Sequence, residues 1–300
     1  MDWDDLRVFL GVARGESLSA AGKVLKMDPA TVGRRIARLE QGLGTPLFVK
    51  SPQGYALTEA GARLVDHAER AEQAALMAAE AVQGRSEGLS GQIRIGAPDG
   101  CANFLLPQVC ARIAAENPDL EVQIVALPRL VNLSRREADM AVTVSRPTAG
   151  RFVVQKVTDY RLHLAASDEY LAQNAPITRR ENLRGHRVVG YIQDMIFDKE
   201  LDYLSDLGLT QVPLASNSVA VQFQWLRQGA GLGIVHDFSL PLAPGLRRVL
   251  VEEVSLTRTF HLVRHEDDRR LERQNRFAEA LVAGMREELQ RLESLADQNR

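Results

Sequence analysis

Helical periodicity dominates the first third of the chain. Leu6, Phe9, Leu10 and Ala13 recur on one face of a segment running from about residue 4 to 13. A second helix is expected after Gly15-Glu16, with Ser17 or Ser19 as N-cap and an end near Leu25. Asp28 then offers a capping carboxylate, and Pro29 falls at a first helical position, where a missing N–H costs nothing. Val32, Ile36, Leu39 and Leu43 follow at i, i+4, i+7 and i+11 and form one buried stripe. "TPLFVKSPQGYALT" reads as strands over residues 47–50 and 55–57 around the turn Ser51-Pro52-Gln53-Gly54. From Thr58, which can cap it, a helix is expected to reach about residue 83. Leu64, Ala68, Ala71, Ala75, Ala78 and Val82 repeat along it in alternating steps of four and three. That seam suits pairing with a second chain, although an alanine-rich helix packed on its own domain has the same spacing. "GRSEGLSG", residues 84–91, then reads as a hinge.

Beyond residue 92 the pattern changes to short apolar strands alternating with helices. "QIRIGA", "LEVQIVA", "ADMAVTV", "RFVVQKV", "RLHLAAS" and "HRVVGY" read as strands. "NFLLPQVCARIAAENP", a stretch within "FDKELDYLSDLG", and the start of "VAVQFQWLRQGAGLGIV" read as helices, which predicts α/β units around mainly parallel sheets. Gly229, Gly231 and Gly233 follow a helix and precede a strand, the reverse of a dinucleotide-binding loop. They are expected to form a helix C-cap and a tight turn.

Charge adds the first functional signal. The whole chain carries a formal charge of −2, yet residues 23–50 set Lys23, Lys26, Arg34, Arg35, Arg38 and Lys50 against only Asp28 and Glu40. At about 100° per residue, Thr31, Arg34 and Arg38 lie opposite the apolar stripe, with Arg35 at its flank. Two short helices, a tight turn and a basic outer face make a helix-turn-helix whose second helix suits a major groove. A plain surface helix with solvated arginines shares that pattern. The strand pair behind it reads as a wing carrying Lys50 and Gln53 towards phosphate or the minor groove.

Composition bounds the rest. The apolar share of 45% and charged share of 25% are those of a globular protein, and no apolar run is long enough for a membrane helix. The acidic "MDWDDLRVFL" is unlike a secretory leader, so a cytoplasmic location is expected, with no membrane partner. Two cysteines, Cys101 and Cys110, provide neither a disulfide framework nor metal-ligand spacing, so no metal or cofactor is expected. Cys110 shares a helix face with Leu106, Val109 and Ile113, whereas Cys101 falls in a loop where it could act as a thiol switch. HExxH, P-loop and G-x-S-x-G motifs are absent and the six histidines are scattered, so no catalytic residue is assigned and an enzyme is not expected.

Taken in order, "SLSAAGKVL", "ATVGRRIARLEQGLGTPLF" and "GYALTEAG" resemble the N-terminal domain of LysR-type transcriptional regulators, over roughly the first 65 residues. The resemblance implies DNA contacts at Thr31, Arg34, Arg35, Arg38 and Lys50. Asp28, Pro29 and Gly33 depart from the polar residues usual at those family positions. "GQIRIG", "LLPQVCARIAAENPDLEV", "READMAV", "NLRGHRVV" and "LRQGAGLGIV" are similar to the LysR effector-binding domain, whose fold is like that of periplasmic solute-binding proteins. The implied architecture is α+β overall: a winged helix-turn-helix over 1–60, a dimerising linker helix and hinge over 58–91, and a two-lobed α/β effector domain over 92–300. Lobe 1 would take about 92–160 and 265–300, and lobe 2 about 161–264, with crossovers near 158–161 and 263–266. A last helix, about 269–295, would pack back on lobe 1.

An effector between such lobes would meet loops holding Asp99, Cys101 and Asn103, then Ser145, Arg146 and Thr148, then Gln193 and Asp194, then Asn217 and Ser218. Family members commonly place Ser or Thr in the first loop, where this chain has Asp99-Gly100-Cys101-Ala102-Asn103; Arg146 could still pair with an anionic effector. The implied partners are double-stranded promoter DNA, a small-molecule effector, further copies in a homodimer or homotetramer, and RNA polymerase. The rival readings are a solute-binding protein with a helical interaction module, and a thiol-based redox sensor of the same family.

Overall fold

The computed structural model describes residues 2–51, 54–83, 88–126, 138–209 and 211–298. They form two compact units, one ending with the long fourth helix and the other starting at residue 88.

In the first unit, α1 (Trp3–Gly15), α2 (Leu18–Leu25) and α3 (Pro29–Leu43) enclose Phe9, Leu10, Val12, Val32, Ile36 and Leu39. Each helix begins on a capping side chain. Ser17 Oγ accepts from Ala20 N at 3.0 Å, and Asp28 Oδ1 accepts from Ala30 N at 2.7 Å and Thr31 N at 3.4 Å. Between α2 and α3, Lys26 adopts a left-handed conformation and Met27 N donates to Gly22 O at 2.9 Å. A Cβ on Gly22 would lie 2.6 Å from the Met27 carbonyl oxygen, so this turn closes only over glycine. Strands β1 (Phe48–Ser51) and β2 (Gly54–Leu57) pair antiparallel as the wing. Glu40 ties them to α3, its Oε1 accepting from Leu47 N at 2.7 Å.

Helix α4 (Glu59–Gln83) starts where Thr58 Oγ1 accepts from Gly61 N at 3.0 Å. Its expected seam divides. Ala68 is buried and Leu64 half-buried against their own domain, where Arg14 of α1 holds Glu72 at 2.7 Å, and Ala71 is half-buried. Ala75 and Ala78 are exposed. The domain-packed arrangement therefore accounts for the first half of the seam, and Ala75 and Ala78 remain open for pairing; the Val82 side chain lies outside the described residues. Residues 84–87 of the expected hinge lie outside the described residues.

The second unit is built on a seven-stranded sheet in the order β10-β6-β11-β5-β3-β4, with β9 also on β6. Strands β3 (Gly91–Ala97), β4 (Leu120–Ala126) and β5 (Met140–Thr143) are parallel. Strands β6 (Phe152–Ser167), β9 (Leu232–His236), β10 (Leu246–Arg248) and β11 (Ser255–His265) pair antiparallel, so the sheet is mixed rather than mainly parallel. The two strands expected at 151–157 and 161–167 are one: β6 runs unbroken from the first lobe into the second beside β11. The only register shift between them falls at Phe260/His261, upstream of the expected 263–266 crossover.

Helices α5 (Asp99–Phe104) and α6 (Leu106–Glu116) replace the single helix expected there, and α7 (Asp168–Gln173) follows β6. The short pair β7 (Val189–Gly190) and β8 (Leu214–Ala215), with α8 (Val219–Arg227), completes the second lobe. The helix expected within 197–208 is instead two single 3-10 turns. Asp198 and Asp202 take backbone N–H groups at Glu200 and Ser205 and so break the helical ladder. Helix α9 (Glu272–Gln298) covers both lobes, not lobe 1 alone: Glu288 binds Arg112 of α6 at 2.8 Å, and Asp297 binds Arg248 of β10 at 2.9 Å. Among the described residues no helix is long and apolar enough to cross a membrane.

Candidate nucleic-acid interface and effector pocket

The start of α3 stands clear of the first unit. Pro29, Ala30 and Arg34 are exposed and Thr31 is half-buried, with Arg34 Nη2 donating to Thr31 Oγ1 at 2.8 Å. Arg35 and Arg38 are placed differently. Arg38 donates to Asp5 of α1 through Nε at 2.7 Å and through Nη2, and Arg35 donates to Asp4 with Asp5 at 3.7 Å. Arg35, followed by Arg7, holds the Asp4 carboxyl below its ordinary range. These two arginines therefore clamp α3 onto α1, a task that the sequence pattern alone does not reveal. Lys50 is exposed on the wing with its Nζ 5.7 Å from the Tyr55 ring centroid, and Gln53 lies outside the described residues.

The expected effector residues divide in the same way. Cys101 lies in α5 rather than in the expected loop and is 1% exposed. Burial raises the Cys110 thiol to about 12 and the Cys101 thiol further, so neither is a ready thiolate and the thiol-switch reading loses its chemistry. Asn103 is exposed and donates back to the Asp99 carbonyl at 2.8 Å. Arg146 is exposed and donates to His261 Nε2 at 3.4 Å, while its neighbour Ser145 donates to Asp198 of the second lobe. Asp99 reaches across to α8, where its Oδ2 accepts from Ser218 Oγ at 3.1 Å and Ala220 N at 3.0 Å. Asn217 is half-buried beside this contact, and Thr148 and Asp194 are exposed.

Gln193 lies at the rim of a small pocket in the second lobe with a cavity volume of about 10 Å³, room for roughly one water molecule. Val189, Ile196, Leu201 and Ile234 supply apolar wall, and Tyr191, Asp202, Tyr203 and Gln222 the other polar groups. Sequence reasoning missed all of these except Gln193, because they come from separate loops with no shared motif. Behind the pocket, Tyr160, Tyr203 and His236 form a buried aromatic group. Tyr160 stacks on Phe260 at 4.0 Å and on His236 at 5.5 Å. The hydroxyls of Tyr160 and Tyr203 face each other, and Nδ1 of His236 has no hydrogen-bond partner among the described residues. Burial lowers the His236 pKa to about 4.

Residues 3–62 match the family described as bacterial regulatory helix-turn-helix protein, lysR family, and residues 86–286 match the LysR substrate binding domain. The chain belongs to the LysR family. Members are DNA-binding transcriptional regulators with an effector-binding domain, so this chain is a regulator rather than a solute-binding protein. The Mau operon transcriptional activator of Paracoccus denitrificans is 32% identical over 164 residues, 55% of this chain and 58% of that protein. The transcriptional activator TtdR of Escherichia coli is 28% identical and covers 76% of this chain and 75% of its own. The solved structure of CrgA, a LysR-type regulator from Neisseria meningitidis, superposes with a TM-score of 0.57 at 23% identity, over 95% of this chain and 99% of that one. The LysR family is one of transcriptional regulators, which are not enzymes.

Proposed function

We propose that this LysR-family protein reads a two-fold promoter site in double-stranded DNA through the exposed start of α3. Thr31 and Arg34 would face base edges, and Lys50 and Gln53 of the wing would lie on the backbone. The exposure of Arg34, beside arginines already committed to α1, carries this reading. Arg35 and Arg38 then act chiefly by fixing the angle at which α3 is presented. Two such units must be held one helical turn of DNA apart, ~34 Å, which the exposed half of α4, with Ala75 and Ala78, suits as a pairing surface in a homodimer or homotetramer. A small molecule bound in the second lobe would shift the arrangement by unequal affinity for two states. Work in the cytoplasm, and contact with RNA polymerase once on the promoter, belong to the same reading.

Fluorescence anisotropy on DNA flanking its own gene tests this. Arg34→Ala is expected to narrow the gap between operator and unrelated DNA by ~1–3 kcal/mol, the value of one bidentate base contact. Loss of Lys50 is expected to weaken both DNAs alike and flatten the salt slope by about one. Equal affinity and salt slope for wild type and the Arg34→Ala, Lys50→Ala double variant would remove this surface.

A further inference from the structure

The acidic opening of the chain meets the basic helix in space. Asp2 caps α1, and Asp4 and Asp5 fill its first turn, where a helix favours negative charge. All three face arginines of α3. Asp4 is the partner of Arg35, Asp5 takes Arg38 through Nε at 2.7 Å, and Asp2 lies 3.5 Å from Arg38 Nη2. Arg7 also holds Asp4, at 3.0 Å.

These contacts border the side of α3 that carries Thr31 and Arg34. At about 100° per residue, Arg38 stands only about 20° from Thr31 and about 40° from Arg34 around the helix. Arg38 and Asp2 are exposed, Asp4 and Arg35 half-buried, and only Asp5 is enclosed. A guanidinium already neutralised by a carboxylate has little to offer a phosphate. The exchange leaves one negative group behind, next to the one arriving. Arg34, by contrast, donates to a neutral hydroxyl, that of Thr31.

Resting on the reading of α3 as the helix that meets DNA, we propose that Asp2 and Asp4 are built-in competitors for the DNA backbone, which withhold Arg38 and Arg35 from phosphates and cap the sequence-independent part of the affinity. Phosphate contacts supply nearly all binding to unrelated DNA. With two of its three arginines withheld, α3 would hold unrelated DNA weakly and leave it fast. Discrimination then rests with Thr31 and Arg34.

Asp→Asn exchanges test this without removing the cap, since Asn caps a helix as well as Asp does. Full-length wild type, Asp4→Asn and the Asp2→Asn, Asp4→Asn double variant are compared by fluorescence anisotropy between about 50 and 200 mM salt. The probes are DNA flanking its own gene and an unrelated duplex. The double variant is expected to bind both about fivefold to tenfold tighter at about 0.1 M salt, with a slope steeper by about one, as one further phosphate contact forms. The ratio between the two DNAs should stay as it is, unlike the narrowing expected of Arg34→Ala. In an Arg35→Gln background the gain from Asp4→Asn should fall below about twofold, since no guanidinium is left there to release. Equal or weaker binding by the Asn variants with an unchanged slope, as a purely structural role of the acids would give, overturns the proposal. So does a gain that survives undiminished in the Arg35→Gln background. Should the double variant not fold, Asp4→Asn alone decides. Wild type without salt-dependent affinity for either duplex removes the DNA-reading function and the proposal with it, whereas wild type that binds beside Asn variants that gain nothing removes the competitor role alone.

Discussion

Single side chains at the core of the effector unit set its response to acid. His236 is 4% exposed, is stacked on Tyr160, and is crossed so closely by the backbone that a Cβ on Gly100 would lie 2.7 Å from its Cε1. Burial depresses its pKa to about 4 from 6.5, so the folded state resists a proton that the unfolded chain accepts. Above pH 6.5 the ring is neutral in both folded and unfolded states and adds no pH dependence. As pH falls from 6.5 to 4 the unfolded state gains the proton first, and stability is lost by up to about 3 kcal/mol. Urea unfolding across that window should show the decline, and His236→Gln should flatten it. Glu288 adds a second limb at lower pH. Arg291, and after it Arg112, hold its carboxyl below the ordinary value, so its contribution vanishes only as pH falls through that lowered range.

At the level of elements, the recognition helix depends on a partner far away in sequence. Asp5 is 2% exposed and receives two guanidinium bonds from Arg38, which is itself largely open to solvent. Asp5→Asn should cost the DNA-binding unit about 1–2 kcal/mol in thermal unfolding, as one charge-assisted bond is lost. The start of α3 was legible because Asp28-Pro29 is a local signal, and so was its outer face, since Arg34 and the Val32–Ile36–Leu39 stripe follow helical spacing. The clamp was not legible: no local rule links Arg38 to Asp5. Strand β6 was read as two because Thr158 and Asp159 interrupt its apolar pattern, and those residues mark the passage between lobes. The pocket was hidden for the same reason as the clamp. Tyr191, Asp202 and Gln222 meet only after β7, the 199–207 turns and α8 have folded together.

Over the whole effector unit, the lobes share a spine. Strands β6 and β11 pass through both, and α9 bridges them through an ionic network in which buried Asp237 receives His163 at 2.8 Å and Arg248 at 3.0 Å. Arg248 also binds Asp297, and Arg161 binds Glu293 at 2.9 Å, which fastens the last turns of α9 to the second lobe. Arg248→Met should cost about 3–5 kcal/mol in urea unfolding, because it removes the closest cation of a fully buried carboxylate and leaves it His163 as its hydrogen-bond partner. The unit should nevertheless unfold in one cooperative step, since the shared strands remain.

Such a spine also bears on timing. Because β6 and β11 run through both halves, any movement of one lobe on the other has to bend these strands, and where they hold, capture should be limited by encounter and release by the strength of the few polar contacts. Occupancy would then track the surrounding concentration without lag. The protein would report the present level of its signal rather than a memory of it.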